Sequence, residues 1–516
     1  MTKSTRDEPK HLTCDLLVIG GGINGAGIAR DAAGRGLNVI LCEKDDLAAH
    51  TSSASSKLIH GGLRYLEYYE FALVRKALRE REVLMRIAPH LISARRFVMP
   101  HRPELRPRWM IRAGLFLYDH LAQRELLPSS AAIRLPVHPS GKGLKADWQH
   151  AFIYSDAWVD DARLVVLNAV SAAELGATVL PRTRCENLQR ENQIWHAHLR
   201  SSHTGGSIDL QVTARAVVNA TGSWAAELQH RFSPNLPAKQ LRLVKGSHIV
   251  VRRLFEHDNA YIFQNVDGRI VFALPYEGAY TLVGTTDVEF SGELDHICIS
   301  EVEIEYLCKL CNAYFERQIS KGDVVWSYAG VRPLVDDGKA DAKAITRDYL
   351  FDLDHEGAPI LHIFGGKITT YRRLAEQALD VLEPLLGGKH GAWSDRALLP
   401  GGDLVCEVPD NQNALGFTQY EQSCFQRYPF LPQALLVRYL RLYGSRVHRL
   451  IGQRNSLVAM GEEVLPNLFA AEIDYLCRFE FANSAEDILW RRTKLGLHLP
   501  ADAAAKLDAW IYRQSS

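Results

Sequence analysis

Three glycines, Gly20, Gly22 and Gly25, stand directly after an apolar run at 16–19 and directly before a helix-periodic run at 23–35. The chemistry of that spacing is phosphate binding. Gly20 permits a tight turn, Gly22 lets a pyrophosphate approach the backbone, and Gly25 lets the helix pack on the sheet. The free N–H groups of the helix's first turn then meet the phosphate charge. Glu43 ends the next strand-like run, 38–42, about 20 residues on, placed to accept from a ribose 2′-hydroxyl. A carboxylate there would repel a 2′-phosphate, which disfavours NADP.

Two further glycine turns end apolar runs, in VVNATG (217–222) and IFGGKITTYR (363–372). An NAD domain needs one phosphate turn, whereas an extended FAD needs more backbone contacts along its length. The set therefore favours FAD. FGGKITT opens a helix, so its amides and dipole would face the electron-rich end of a flavin; the alternative is an ordinary turn with an exposed Lys367. Residues 52–67, SSASSKLIHGGLRYLE, begin with the composition of a disordered linker. Residues 60–69 carry too many bulky side chains for a flexible tether.

The elements that must position these residues are α/β. Residues 14–47 read as a strand–helix–strand unit, with Gly36 ending the helix. A helix is expected at about 68–86. Another follows Asp160, a candidate N-cap, and stops at Gly176. From Gly246 the texture changes to short strand runs separated by turn residues such as Asp267-Gly268 and Glu277-Gly278, an antiparallel sheet inserted as a second domain. After Pro400 the chain turns mostly helical. The expected division is a discontinuous nucleotide-binding domain (about 1–90, 150–240 and 328–400), a substrate domain (about 91–149 and 241–327) and a helical domain at 401–516.

The 516 residues exceed one hydrophobic core, and 47% hydrophobic with 23% charged residues is ordinary for a globular enzyme. Net charge is zero and the pI about 7.3, so no global field draws nucleic acid, and no nucleic-acid partner is expected. The nine cysteines include one close pair, Cys308 and Cys311, inside a helical pattern with no second pair nearby. They read as buried thiols, no metal site is expected, and the odd count fits a reducing compartment. The first 14 residues lack the apolar core of a secretory signal. No run approaches the ~18 apolar residues of a spanning helix.

Motifs along nearly the whole chain now accumulate in order: IGGGINGAGIARDAAGRGL, TSSASSKLIHGGLRYLEYYEF, EREVLMRIAPHL, YSDAWVDDARLV, VVNATGSWA, KGSHIVV, VGTTDVEF, AGVRPL, FGGKITTYRRLAE and LWRRTKLGL. Together they resemble the FAD-dependent sn-glycerol 3-phosphate dehydrogenases, the aerobic quinone-linked family. The resemblance implies a glutathione-reductase-type, D-amino-acid-oxidase-like FAD fold. It assigns cofactor contacts to Gly20, Gly21, Gly22, Asn24, Gly25 and Glu43, and in the serine run to Ser52, Ser53, Ser55, Ser56, Lys57, Leu58, His60 and Gly61. Further contacts fall at Cys185, Ala220, Thr221, Gly222, Gly366, Lys367, Ile368, Thr369 and Thr370.

Glycerol 3-phosphate needs cations for its phosphate and an acceptor for the C2 hydroxyl proton. Arginine suits phosphate by its bidentate geometry. By resemblance Arg64 and Arg332 are the anchors, with Tyr65 and Lys367 beside them, the alternative for either arginine being a surface or ion-pair residue. Thr285 and Thr286 of GTTD are candidates to hydrogen bond substrate oxygens, the alternative being strand-end caps. His248 is a candidate general base, its ordinary pKa lying near operating pH; the alternative is a strand-end histidine bonded to backbone. His248, Arg332 and Lys367 form the expected catalytic set. The expected reaction moves the C2 hydride to flavin N5, yields dihydroxyacetone phosphate, and passes electrons to a membrane quinone.

A quinone acceptor calls for membrane contact. In 100–124, Arg102, Arg106, Arg108 and Arg112 interleave with Trp109, Met110, Ile111, Leu115 and Phe116, a pattern suited to a bilayer interface. The alternative is a helix covering the core. The expectation is a cytoplasmic enzyme held peripherally on the inner face of the cytoplasmic membrane, and a homodimer, with 401–516 serving dimer contacts or partner docking. The competing functions are a glycerol 3-phosphate oxidase using O2, an amine or amino-acid oxidase of the same fold, and a non-catalytic FAD-binding module.

Overall fold

Apolar residues buried on both faces make a parallel strand, and Lys10–Ile19 is the central one of an eight-stranded sheet. It pairs in parallel with Gly206–Asn219 on one side and Val39–Cys42 on the other. Thr178–Leu180 and Ile360–Phe364 extend the sheet in parallel at its two ends, and Leu350–Asp354 closes one edge antiparallel. The helices Ile23–Gly34, Asp161–Glu174 and Tyr371–Leu386 share one core cluster with Leu16, Val18 and Leu41 of this sheet. Leu17 and Val217 pack instead with Trp195 and Leu199 of the hairpin Thr183–Glu191/Ile194–His203. The computed structural model describes residues 10–203, 206–265, 268–335, 348–387, 390–404 and 416–515; Asp267 of the expected turn and Cys406 lie outside them.

A second, ten-stranded sheet runs Val288–Glu289, Leu241–Arg252, Tyr280–Gly284, Ile270–Tyr276, Ala260–Gln264, Ile92–His101, His150–Val159, Leu58–Ile59. Val324–Val335 and Ala131–Arg134 pair alongside. It is antiparallel except where Ala260–Gln264 meets Ile92–His101. The helix Glu301–Tyr314 packs on it, with Cys308 and Cys311 turned into that core.

The expected boundaries shift here. His150–Val159 and Leu58–Ile59, read above as nucleotide-domain residues, are hydrogen bonded into the second sheet. The physical reason is a seam. His150–Val159 ends at Asp160, whose carboxylate accepts from the Arg163 N–H at 3.2 Å and caps the helix on the first sheet. One strand therefore serves the second layer and delivers the chain directly to the first. The helix expected from 68 starts at Phe71, because Leu63–Tyr68 is a 3-10 turn ended by Tyr69 at φ +59°.

The C-terminal part, with helices Phe417–Arg427, Gln433–Tyr443, Val447–Ile451, Ala470–Phe479 and Ala503–Ser515, has a core of its own. Among the described residues no helix is long and apolar enough to cross a membrane. The helix Arg108–His120 buries Leu115 and Tyr118 but leaves Trp109 70% and Phe116 58% exposed.

Candidate active site

The glycine turn works by close approach. Gly20 holds φ +110°, and a Cβ there would lie 2.6 Å from the Ala220 carbonyl oxygen. A Cβ on Gly25 would lie 1.8 Å from the Gly20 oxygen, so the helix rests directly on the turn. At Gly22 the nearest obstacle is Ser52 Oγ at 3.1 Å. That hydroxyl accepts from the Ile23 N–H at 3.0 Å, which ties the serine run to the helix start. Glu43 accepts from the Gly21 N–H at 2.6 Å and the Asp45 N–H at 2.9 Å. Burial pushes its carboxyl pKa up, and those two donors oppose the shift.

Two cavities open here. The first, about 270 Å³, is lined by Gly20, Gly22, Asn24, Glu43, Cys185, Ala220, Thr221, Gly222 and Trp224. The second, about 320 Å³, is lined by Ser55, Ser56, Leu58, His60, Arg64, Tyr65, His248, Thr285, Arg332, Lys367, Ile368 and Thr369. Both include Ile23, Thr51, Ser52, Pro333, Gly365 and Gly366, so they form one elongated slot. The residues fit FAD. A carboxylate stands at one end for a ribose, the glycine turn and helix start lie in the middle for a pyrophosphate, and apolar walls with the Gly366 turn stand at the other end for a ring system.

The serine run is fixed on several sides. Thr51 Oγ1 donates to the Val331 carbonyl at 2.8 Å. Ser55 donates through N–H and Oγ to Asp161 Oδ2, at 3.2 and 2.7 Å. The Ser55 carbonyl accepts from the Tyr328 hydroxyl at 2.8 Å.

Around the second cavity, Arg332 donates to Asp287 Oδ1 at 2.7 Å and to the Thr286 carbonyl at 3.1 Å. The Lys367 ammonium stands 4.2 Å from the centroid of the Tyr65 ring. His248 is 3% exposed, its Nε2 is 2.9 Å from Ser56 Oγ, and its ring stacks on Tyr328 at 4.8 Å. Burial first, then the charges of Lys57 and Arg332, hold its pKa well below 6.5.

Six residues expected as cofactor contacts do not line the slot. Gly21 faces Glu43, and Gly25 carries the helix–turn packing. Ser53 Oγ turns back to the His50 carbonyl. Lys57, at φ +58° and fully buried, puts its ammonium on Asp161 Oδ1 at 2.7 Å and on the Ser53 carbonyl at 3.0 Å. Gly61 donates to the Tyr118 hydroxyl, and a Cβ there would strike Leu78. Thr370 is buried at the start of the helix Tyr371–Leu386. Three residues were missed. Asp287 lies within the VGTTDVEF motif, and its acid beside two threonines was the available signal. Asp161 lies in the YSDAWVDDARLV motif, but its pairing with Lys57 is a tertiary contact that the motif does not show, and Tyr328 acts only through tertiary contacts.

Residues 15–372 match the family described as FAD dependent oxidoreductase, and residues 392–511 match the C-terminal domain of alpha-glycerophosphate oxidase. The chain is 51% identical to a glycerol-3-phosphate dehydrogenase of Pseudomonas aeruginosa, over 98% of this chain and 96% of that one. It is 48% identical to the aerobic glycerol-3-phosphate dehydrogenase of Escherichia coli, over 97% of each. It is also 48% identical to a D-erythritol 1-phosphate dehydrogenase of Brucella abortus, over 97% and 98%. Among solved structures, the FAD-complexed glycerol-3-phosphate dehydrogenase of Bacillus halodurans superposes with a TM-score of 0.76 at 25% identity, covering 97% of this chain and 90% of that one.

Proposed function

The chain belongs to the FAD-dependent oxidoreductase family, and from that premise we propose that it oxidises sn-glycerol 3-phosphate to dihydroxyacetone phosphate. The observation that carries this reading is the meeting of Arg64, Arg332, Lys367 and His248 around the cavity that continues from the nucleotide slot. An amino-acid oxidase needs one carboxylate anchor, whereas several cations suit a dianionic phosphate.

Bound FAD supplies the hydride acceptor. The protein's own residues bind, orient and deprotonate. Arg332 keeps Asp287 as a partner and has further donors for a phosphate oxygen. Arg64 and Lys367 complete the phosphate site in this reading. His248, held neutral, accepts the C2 hydroxyl proton at Nε2, beside Ser56 Oγ. The phosphate dianion offsets the nearby positive charges and strengthens the base once substrate is bound. Ile262, Ile270 and Phe272 line the same cavity and limit water.

The test is anaerobic bleaching of the flavin by glycerol 3-phosphate, with free glycerol and erythritol 1-phosphate in parallel. Bleaching by the erythritol ester alone would move the substrate to the four-carbon polyol phosphate of the Brucella relative. Reoxidation by a quinone analogue and not by O2 supports a dehydrogenase; rapid reoxidation by O2 supports an oxidase. We assign the acceptor to membrane quinone and the enzyme, as a homodimer, to the inner face of the cytoplasmic membrane. Exposed Trp109, Met110 and Phe116 support the membrane part, together with Tyr69 at 80% exposure nearby in sequence to the contacting 3-10 turn.

A further inference from the structure

The segment Trp490-Arg-Arg-Thr-Lys-Leu-Gly496 has no part in the chemistry above, yet its charged residues are buried against the nucleotide-binding part. Asp46, 2% exposed, opens the loop that leads into the serine run. Its two carboxylate oxygens take the Arg492 guanidinium, at 2.7 Å on Oδ2 and 2.9 Å on Oδ1, and Arg491 joins on Oδ2. The other end of the loop is Lys57, paired with Asp161. The next carboxylate, Asp160, takes the Lys494 ammonium at 3.2 Å. Lys494 is 3% exposed and sits at φ +59°, a costly backbone conformation for a non-glycine residue. Burial would raise the Asp160 carboxyl; Lys494 and then Lys57 outweigh it and hold it below the usual range.

Between these two grips lie His50 and Ser52 of the first cavity and Ser55 and Ser56 of the second. We propose that Arg492 and Lys494 of the C-terminal domain are positioning residues for the reaction, Arg492 gripping Asp46 at one end of loop 46–58 and Lys494 holding Asp160 beside Asp161, the partner of Lys57 at the other end, so that the loop's serines hold the flavin against the substrate and Ser56 meets His248. The clamp is desolvated, so loss of one partner strands a buried charge. A loop loosened at either end shifts Ser56, whose Oγ lies 2.9 Å from His248 Nε2 and is the hydrogen bond that links the loop to that ring. The role read above for 401–516, dimer contact or partner docking, is not available to these side chains, because they face inward. The proposal rests on the slot being the flavin site.

The experiment compares the FAD-loaded wild type with Arg492→Gln, Lys494→Met and Lys494→Arg. Arg446→Gln is the control, since it breaks another contact of the C-terminal domain, the exposed Arg446–Glu174 pair. FAD dissociation constants, melting temperature at saturating FAD, and the anaerobic flavin-reduction rate are measured. Arg492→Gln and Lys494→Met should weaken FAD at least tenfold and slow reduction at least tenfold at saturating FAD. The apparent affinity for glycerol 3-phosphate should stay within twofold. Lys494→Arg should recover most of the rate, and Arg446→Gln should match wild type. The proposal is overturned if excess FAD fully restores the reduction rate, if Arg446→Gln causes the same loss, or if the variants behave as wild type. Should the clamp variants not fold, Asp46→Asn is read in the same way; failure of that milder change to fold would also count against positioning. A wild type that binds no FAD would instead sink the flavin reading itself.

Discussion

In the reaction proposed above the chemistry turns on His248, and the environment of that residue makes a sharp pH claim. Its folded pKa lies well below 6.5 because burial and two cations disfavour the imidazolium. The base therefore stays competent as pH falls through 6.5, and it is lost only further down. The ratio of kcat/KM for wild type over His248→Gln should be level from pH 8 to pH 6, the ratio removing the substrate phosphate's own titration; an acid limb centred at 6.5 or above would contradict the assignment. Removing the base should cost about 10²–10⁴ in turnover. Arg332→Ala should raise the KM for glycerol 3-phosphate by about a hundredfold, on the order of 3 kcal/mol, with flavin content unchanged. Equal losses on glycerol 3-phosphate and on free glycerol would make Arg332 structural. At this scale the sequence was informative where function depends on a local motif. Gly20, Gly22, His248 and Arg332 were all legible, and all line the slot. Lys57 was misread because the serine run shows that it is near the cofactor but not which way it points. Only Asp161, more than a hundred residues away, decides that.

The strand–turn–helix unit separates two functions that its glycines share in sequence. Gly25→Ala puts a methyl within the carbonyl of Gly20, so the helix must leave the sheet and the protein should lose several °C in Tm. Gly22→Val meets only a serine hydroxyl at its Cβ. It should fold near the wild-type Tm measured without FAD, yet purify without flavin, because the branched side chain fills the phosphate path. If Gly22→Val retains FAD, the pyrophosphate lies elsewhere. The element at 487–492 carries a separate pH signature. Burial would raise the Asp487 carboxyl, but Arg182, Arg492 and Arg491 hold it well below 3.8. A carboxyl depressed in the fold contributes stability above its unfolded pKa, about 3.9, and loses it as pH falls toward the folded value. The stability gap between wild type and Asp487→Asn, read by denaturant melts, should thus be constant above about pH 5 and shrink below 4. Elements themselves were largely readable, since the parallel strands are short apolar runs between glycine turns. Their layer was not. His150–Val159 has the same apolar texture in either sheet, and only long-range pairing places it.

For the molecule as a whole, net charge is zero, so the bilayer contact proposed above has to draw on one face. On the face around the helix Arg108–His120 much of the basic charge is already matched. Arg102 pairs with Asp147 and Arg106 with Glu67 at 2.9 Å, whereas Arg112 donates to the neutral Ser130 hydroxyl at 2.7 Å and keeps its charge. The apolar part is the freer one, with Trp109, Met110 and Phe116 exposed. Binding to anionic liposomes should therefore fall only a few-fold between low and moderate salt, where each unmatched basic residue is worth about 1 kcal/mol. Changing Arg108, Trp109 and Arg112 to Ser should abolish most co-sedimentation while leaving reduction of a short-chain soluble quinone intact. Full binding by that variant would move the contact to another surface.

The contact between Arg492 and Asp46 spans 446 residues of chain, and it has a consequence in time as well as in space. A ribosome adding about 5–20 residues per second needs roughly 20–90 s to travel that distance. For most of that interval the glycine turn and the serine run are outside the tunnel, while the arginines that grip Asp46 have not been made. Once residue 369 has been added, the chain carries every residue that lines the slot, while Asp46 still lacks its two arginine partners. On the clamp proposed above, firm capture of the cofactor waits until residues 491–494 have been made, and a polypeptide truncated before residue 491 should hold its flavin at least tenfold more weakly.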